Sequence, residues 1–396
     1  MTSPDRAGTI GQVAEPGNRI GSMAPAHDAS PWLHTVAAAA IMACGALVFL
    51  LTHGYATRWN WTNDLWDTGY YFQIASSGYR SGGGHALAFL PGYPILLAPA
   101  ARLLPQLPFL ASFITSSILS ILGGAVLFRL LCKRLDTWTS LAGIALLAFS
   151  PFAIYFYNGY SEPAFFVCVV LTLAWLTDGY LLLAAFATGY AFLCRPYAFA
   201  LLPLFLPVAW QLVRQRDFWK LGWIVLLGAA PALIYCAWMY HSFGDPFMAA
   251  KALTHWQKYE SISGSWPLPI RTMLAFHFAF RDSAPGTWSL SLITYFLAAC
   301  ATLAAAGRLP GKLVVYSLLL LVCVYFTDAL VPVNLGRHAM LAFAACPAIA
   351  ALLYGTKSDG AWATASRHGA FAIALLFFIA TFVVMGSRFS LGLWVS

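Results

Sequence analysis

FLPGYPILLAPAARLLPQ, residues 89–106, decides how the chain is threaded. It is apolar for long enough to be taken as a membrane crossing, yet it carries Pro91, Pro94, Pro99, Pro105 and Arg102. Proline removes a backbone donor and disrupts a helix interior. The stretch therefore reads as a helix lying along or dipping into the membrane interface, not as a span. The placing of positive charge tests that choice. If 89–106 does not cross, the connections holding Lys133/Arg134, Arg214/Arg216/Lys220, Arg308/Lys312 and Lys357/Arg367 fall on one side with the N-terminal tail. The positive-inside rule makes that side cytoplasmic. If it crosses, those clusters move to the opposite side, so the first arrangement is adopted.

The rest of the chain fits a membrane solvent. Of 396 residues, 60% are hydrophobic and only 9% charged, against roughly half and a quarter in soluble domains. Spans are expected at 32–52, 109–132, 138–157, 162–177, 180–193, 196–213, 219–240, 287–306, 312–331, 337–354 and 369–391, about eleven helices. The break between 193 and 196 is placed at "LCRPYAF", because Pro196 disfavours helix at the residue before it. The fold class is thus an all-α polytopic membrane protein, with interfacial helices in the first outward loop. No short alternating segments of a β-barrel occur. The net charge of +8 is scattered between apolar runs, so it sets topology and does not bind nucleic acid. The eight cysteines lie in or beside apolar runs without CxxC spacing, which predicts neither disulfides nor a Cys-zinc site. Residues 1–31 read as a disordered cytoplasmic tail, and residues 32–396 as one transmembrane domain. The tail's length and acids argue against a cleaved signal peptide and make the first apolar run an uncleaved anchor.

The side opposite the basic connections receives two large loops, 53–108 and 241–286, and the turns at 158–163, 194–196 and 333–337. Any chemistry faces that way. The first loop contains NDLWDTGYYFQIASSGYR, residues 63–80. In helical phase Asp64, Asp67 and Tyr71 share one face, beside a stripe of Trp66, Tyr70 and Ile74. Two readings are open for its acids. They cap and wet an interfacial helix, with Asn63 or Asp64 as N-cap, or one carboxylate takes a proton from an acceptor hydroxyl.

Glu162, Arg195 and Arg337 each sit at the outer end of a span. One by one they read as a helix cap and two headgroup anchors; together they suggest a shared anionic ligand or an acid–base cluster. His85 reads as a solvated loop histidine, and Asn60-Trp61-Thr62 matches a glycosylation sequon that is common by chance.

The helix from Trp66 to Tyr79, then "AFLPGYPIL" (88–96), "YSEPAFF" (160–166), "CRPYAF" (194–199) and "FGDPFMAAKALTHWQK" (243–258), resembles the PIG-V-type mannosyltransferases of the GT-C superfamily in kind and order. The resemblance runs from about residue 32 to 355. It implies an inverting glycosyltransferase that takes mannose from a polyprenyl-phosphate donor to a lipid or glycan acceptor on the non-cytoplasmic face. It places the catalytic base at Asp67, with Asp64 as the alternative. It suits Arg195, Arg337, Lys251 and Lys258 to the donor phosphate, and Trp66, Tyr70, Tyr71, His85, Tyr93, Glu162 and Trp256 to the acceptor or sugar. The chain departs from the family at His338, where members often carry tyrosine. No DxD motif is present, so no cofactor is assigned and a divalent cation is left open. The membrane is the bacterial cytoplasmic one with a periplasmic active face, or that of the endoplasmic reticulum in a eukaryote. Two other functions stay open on the same charges: a lipid-linked sugar flippase or transporter, and a non-catalytic subunit of a membrane enzyme.

Overall fold

The structure is a computed structural model that describes residues 31–62, 66–252, 285–328, 334–354 and 361–393. The described residues are helical, without strands. In order they form α1 (Pro31–Thr57), α2 (Asp67–Ser77), a 3-10 turn (Tyr79–Gly82), α3 (Gly83–Ala86), α4 (Gly92–Leu103), α5 (Pro108–Leu131), α6 (Thr137–Ala148) and a second 3-10 turn (Ala153–Phe156). Then come α7 (Glu162–Asp178), α8 (Leu181–Cys194), a long 3-10 helix (Pro196–Phe205), α9 (Leu206–Arg214) and α10 (Phe218–Phe243). The remainder is α11 (Pro285–Ala304), α12 (Gly311–Asp328), α13 (Leu335–Ala339), α14 (Ala345–Tyr354) and α15 (Ala361–Ser390).

A helical segment stands at each of the eleven expected places, and the molecule is a polytopic helical membrane protein. Among the described residues five helices are long and apolar enough to cross: 32–57, 108–131, 196–214, 218–243 and 362–390. Segment 89–106 supplies only the 12 residues of α4, about 18 Å of helix and too short for a hydrocarbon core.

Three expected spans are interrupted, each by proline chemistry. The helix expected to 157 stops at Ala148, because Pro151 pushes Ser150 out of helical backbone. The segment from 196 starts as a 3-10 helix around Pro203 before α9 begins. The segment 337–354 is split into α13 and α14. Pro347 lacks an N–H and would clash with the carbonyl four residues back, so the helix restarts with that proline in its first turn.

Lipid gives helices no hydrophobic reason to associate, so close packing of small residues matters more. A Cβ on Gly123 would meet the Phe166 ring at 2.5 Å, and one on Gly124 would meet Met42 Cγ at 2.4 Å. These two residues let α5 lie against α7 on one side and α1 on the other. The first and last helices also touch: His53 Nδ1 is 3.1 Å from Ser390 Oγ, and its ring stacks on Phe109 at 3.5 Å.

Two of the basic connections are tied to neighbouring elements. Lys133 pairs with Asp178, joining the α5–α6 and α7–α8 connections. Arg308 Nη1 donates to the Ala351 carbonyl at 2.8 Å, joining the α11–α12 connection to α14.

Candidate functional site

At the other end of those helices four segments converge: the start of α2, the turn before α7, the end of α8, and α13. Gly159 shapes the turn. Its φ of +88° lies in the left-handed region, and a Cβ there would fall 2.6 Å from Ser112 Cβ of α5. Its N–H donates to Ser116 Oγ at 3.1 Å, and that hydroxyl also meets Tyr93 Oη at 2.8 Å. The motif residue Tyr93 is thus fully buried, pinning α4 to α5. Gly92 lets α4 press against the end of α8, since a Cβ would lie 2.7 Å from the Leu193 carbonyl carbon. Arg195 follows directly, in extended backbone with φ −155°.

Glu162 opens α7 with its carboxylate fully buried. Its Oε1 accepts from Arg195 Nη2 at 2.6 Å and from Arg337 Nε at 2.5 Å. Ser161 holds the N-cap position without a side-chain cap and instead accepts from the Tyr71 hydroxyl at 3.1 Å. The helix-cap reading of Glu162 is therefore replaced by that of a counter-ion to two arginines. The headgroup-anchor reading of those arginines fails as well, because their side chains are only 10% and 8% exposed and turn inward.

Arg337 lies against two tyrosines, with Cζ 4.4 Å from the Tyr155 ring and 4.3 Å from the Tyr160 ring. Such desolvated cation–π contacts are worth about 2 kcal/mol or more. Its Nη1 is 3.6 Å from Asp67 Oδ2. The Asp67 side chain keeps 36% of its surface open, so of the two carboxylates it is the one a substrate reaches. Its crowded surroundings push the carboxyl above the usual carboxylate range, and Arg337 pulls in the opposite direction.

Asp64 lies outside the described residues. α2 begins at Asp67, and Trp66 at its N-cap position has φ +58°. Trp66 is exposed there and leaves the expected stripe, while Ile74 is buried. Neither Asn63 nor Asp64 is the N-cap. Tyr70 stacks on Phe89 with ring centres 4.9 Å apart, and Tyr71 packs edge-on to Tyr93. His85 is exposed on α3. Lys251 pairs with Asp245. Trp256 and Lys258 lie outside the described residues. Among the described residues no group of three or more His, Cys, Asp or Glu side chains is placed to hold a metal ion.

Several contributors went unassigned in the sequence, among them Tyr155, Tyr160, Tyr197 and His338. Tyr155 fell inside an expected lipid-facing span, and only the helix stop before Pro151 brings it to the site. His338 stood out as a departure from the family, and its position next to Arg337 was the available signal. Its Nε2 is 2.9 Å from Arg195 Nη1.

An apolar groove of about 370 Å3 runs between α2, α4, α8 and α10, lined by residues that include Ile74, Pro94, Ile95, Leu193, Ile234 and Trp238. Ile74 is two helical turns along from Asp67 on the same face of α2, about 10 Å away.

This arrangement of helices occurs in solved structures. The chain superposes on the oligosaccharyltransferase of Archaeoglobus fulgidus in its apo form with a TM-score of 0.55 and 13% identity, over 93% of this chain and 57% of that one. The fold is that of the membrane part of this archaeal oligosaccharyltransferase. The archaeal oligosaccharyltransferase AglB from Archaeoglobus fulgidus, in complex with an inhibitory peptide and a dolichol-phosphate, gives a TM-score of 0.50 and 12% identity over 92% and 57%. Apo ArnT from Cupriavidus metallidurans gives 0.47 and 14% over 89% and 75%. The chain thus spans 57% of the length of the two oligosaccharyltransferase chains. No protein-family model and no curated protein matches the sequence.

Proposed function

We propose that the chain is an integral-membrane glycosyltransferase of PIG-V type, moving mannose from a polyprenyl-phosphate donor to a lipid or glycan acceptor with inversion. The observation that carries this reading is the accessible Asp67 carboxylate beside a buried two-arginine cluster, at the head of an apolar groove. The archaeal oligosaccharyltransferase of the same fold has been seen with a dolichol-phosphate, and the groove here suits the same lipid chemistry.

In this mechanism the prenyl chain lies in the groove and the donor phosphate faces Arg195 and Arg337, with Lys251 and Lys258 as further cations. Guanidinium groups bind phosphate through charge-assisted hydrogen bonds. Asp67 takes the proton from an acceptor hydroxyl. That oxygen attacks the anomeric carbon while the bond from this carbon to the phosphate oxygen breaks on the opposite face. The electron pair leaves with polyprenyl phosphate, whose charge the arginines stabilise. The leaving group needs no protonation, so one carboxylate suffices where glycosidases need two. Glu162 has a different part: it keeps two like-charged guanidiniums together in a buried place. The site end of the bundle faces away from the cytoplasm, because the basic connections lie at the other end.

A transfer assay with radiolabelled polyprenyl-phosphate mannose in membranes tests the reading. Wild type should transfer the label; Asp67→Asn should not; Ala98→Trp, which fills the groove, should lose donor binding. Label moved equally by wild type and Asp67→Asn, or not moved by wild type to any lipid or glycan acceptor, overturns it.

A further inference from the structure

His338 bridges two residues on either side of a chain break. Its Nε2 is 2.9 Å from Arg195 Nη1 and its Nδ1 is 3.0 Å from the Tyr197 hydroxyl. A guanidinium only donates and stays protonated, so Nε2 accepts. The ring is neutral, carries its hydrogen on Nδ1, and donates it to Tyr197 Oη. Both ring nitrogens are used, in a side chain with 8% of its surface open.

Arg195 is consequently held at two different nitrogens: Nη2 by Glu162 and Nη1 by His338. One contact would let the planar fork turn about that bond; two fix its plane. The backbone needs such a clamp. Arg195 stands between the end of α8 and the 3-10 helix that begins at Pro196, and neither helix continues through it. His338 grips the residue at the break and Tyr197 just beyond it.

We infer that His338 is a positioning residue of this site: as a neutral acceptor it sets the plane of the Arg195 guanidinium, and thereby the affinity for a phosphodiester, without touching substrate. This rests on the reading of Arg195 as a ligand of the donor phosphate. Among the described residues the charged and titratable groups facing the ring and its partners are Arg195, Tyr197, Glu162 and Arg337.

The test is a double-mutant cycle, which isolates a coupling when each single change removes only the contact. KM and kcat for polyprenyl-phosphate mannose are measured on the full chain in detergent for wild type, His338→Leu, Arg195→Ala and the double variant. His338→Leu should raise KM about 10-fold, the order expected for one charge-assisted contact, with kcat little changed. His338→Gln, which offers an amide oxygen, should recover most of that loss. In the Arg195→Ala background His338→Leu should add nothing. An equal rise in KM in both backgrounds, or a fall in kcat at constant KM, overturns the inference. Should His338→Leu fail to fold, Tyr197→Phe serves instead. It frees the ring from its Nδ1 partner and should raise KM about threefold in wild type and not in Arg195→Ala; no change in wild type overturns the inference. If wild type transfers nothing, the transferase reading fails by itself. The clamp is then read from the rise in melting temperature that polyprenyl-phosphate mannose induces. A rise kept in His338→Gln and lost in His338→Leu supports it, and equal rises overturn it.

Discussion

Replacing Glu162 by glutamine should cost more stability than any other single change at the charged cluster. The carboxylate is fully buried, and one oxygen accepts from both Arg195 and Arg337, at 2.6 and 2.5 Å. The amide keeps the shape and one acceptor oxygen, but a neutral acceptor is about half as strong as a charged one. Each arginine then loses roughly 1 kcal/mol of hydrogen bonding. The larger part is charge: two guanidiniums remain buried, and among the described residues the remaining carboxylate, Asp67, lies 3.6 Å from Arg337 and does not reach Arg195. Removing one member of a buried pair costs about 3–5 kcal/mol, and that is the size expected. Arg337 keeps its tyrosine faces; Arg195 keeps only a neutral histidine and should be the more disturbed. The assay is thermal melting of purified protein in detergent at neutral pH, beside Arg195→Gln and the double variant Glu162→Gln/Arg195→Gln. The double variant should melt above Glu162→Gln, because it removes an unpaired charge. A Glu162→Gln protein melting within a degree of wild type, or a double variant worse than both singles, would refute the reasoning.

Asp67→Asn should cut turnover about 10²–10⁴-fold, the usual range for a general base, while donor binding persists. Because its crowded surroundings raise this carboxyl against the pull of Arg337, the wild-type rate should climb with pH through a midpoint above the ordinary aspartate range; a midpoint at or below pH 4 refutes that. A raised carboxyl contributes stability at low pH that is lost as pH rises through its folded value, so Asp67→Asn should melt no lower than wild type at pH 7. Gly92→Val would force a side chain into the Leu193 carbonyl and Cys194 Sγ, each within 2.7 Å of the first added atom. It should destabilise by about 1–3 kcal/mol and weaken donor binding, measured by melting and by KM; an unchanged protein would show that α4 does not seat α8. Single cysteines at Gly82 and Gly264 should react with an impermeant maleimide from the non-cytoplasmic side and those at Arg216 and Pro310 should not; labelling of 82 and 264 from opposite sides breaks the topology.

Much of this was legible because charge is scarce. In a chain that is 9% charged, an acid or arginine at a span end is conspicuous, and Asp67, Glu162, Arg195 and Arg337 were all visible that way. Their proximity followed from threading, once the prolines of 89–106 ruled it out as a crossing. Their pairing did not follow. Two arginines on one carboxylate oxygen is a matter of ångströms, and spacing in sequence carries no such information. Helical periodicity also misled at Trp66, whose left-handed backbone starts the helix at Asp67, and no residue pattern announces a positive φ at tryptophan. Tyr155 was hidden for a related reason: hydropathy extends a span across Ser150-Pro151, where the backbone turns.

The last helix belongs to the wall of the site. Phe389 lies against Tyr155 and Tyr160, at 6.3 and 6.0 Å, the two rings that carry Arg337. Ser390 meets His53 across 337 positions of chain, and Arg337 meets Glu162 across 175. At about 5–20 residues per second of synthesis, Arg337 emerges ~9–35 s after Glu162. Through most of that interval, once Arg195 has been made, the nascent chain holds a carboxylate at the mouth of a helix pair with one of its two arginines, and two tyrosines without Arg337. The cluster is therefore a late product of biogenesis, assembled when the final helices enter the membrane. A stop codon before Phe389 would spare every charged residue of the cluster and still leave one side of it open.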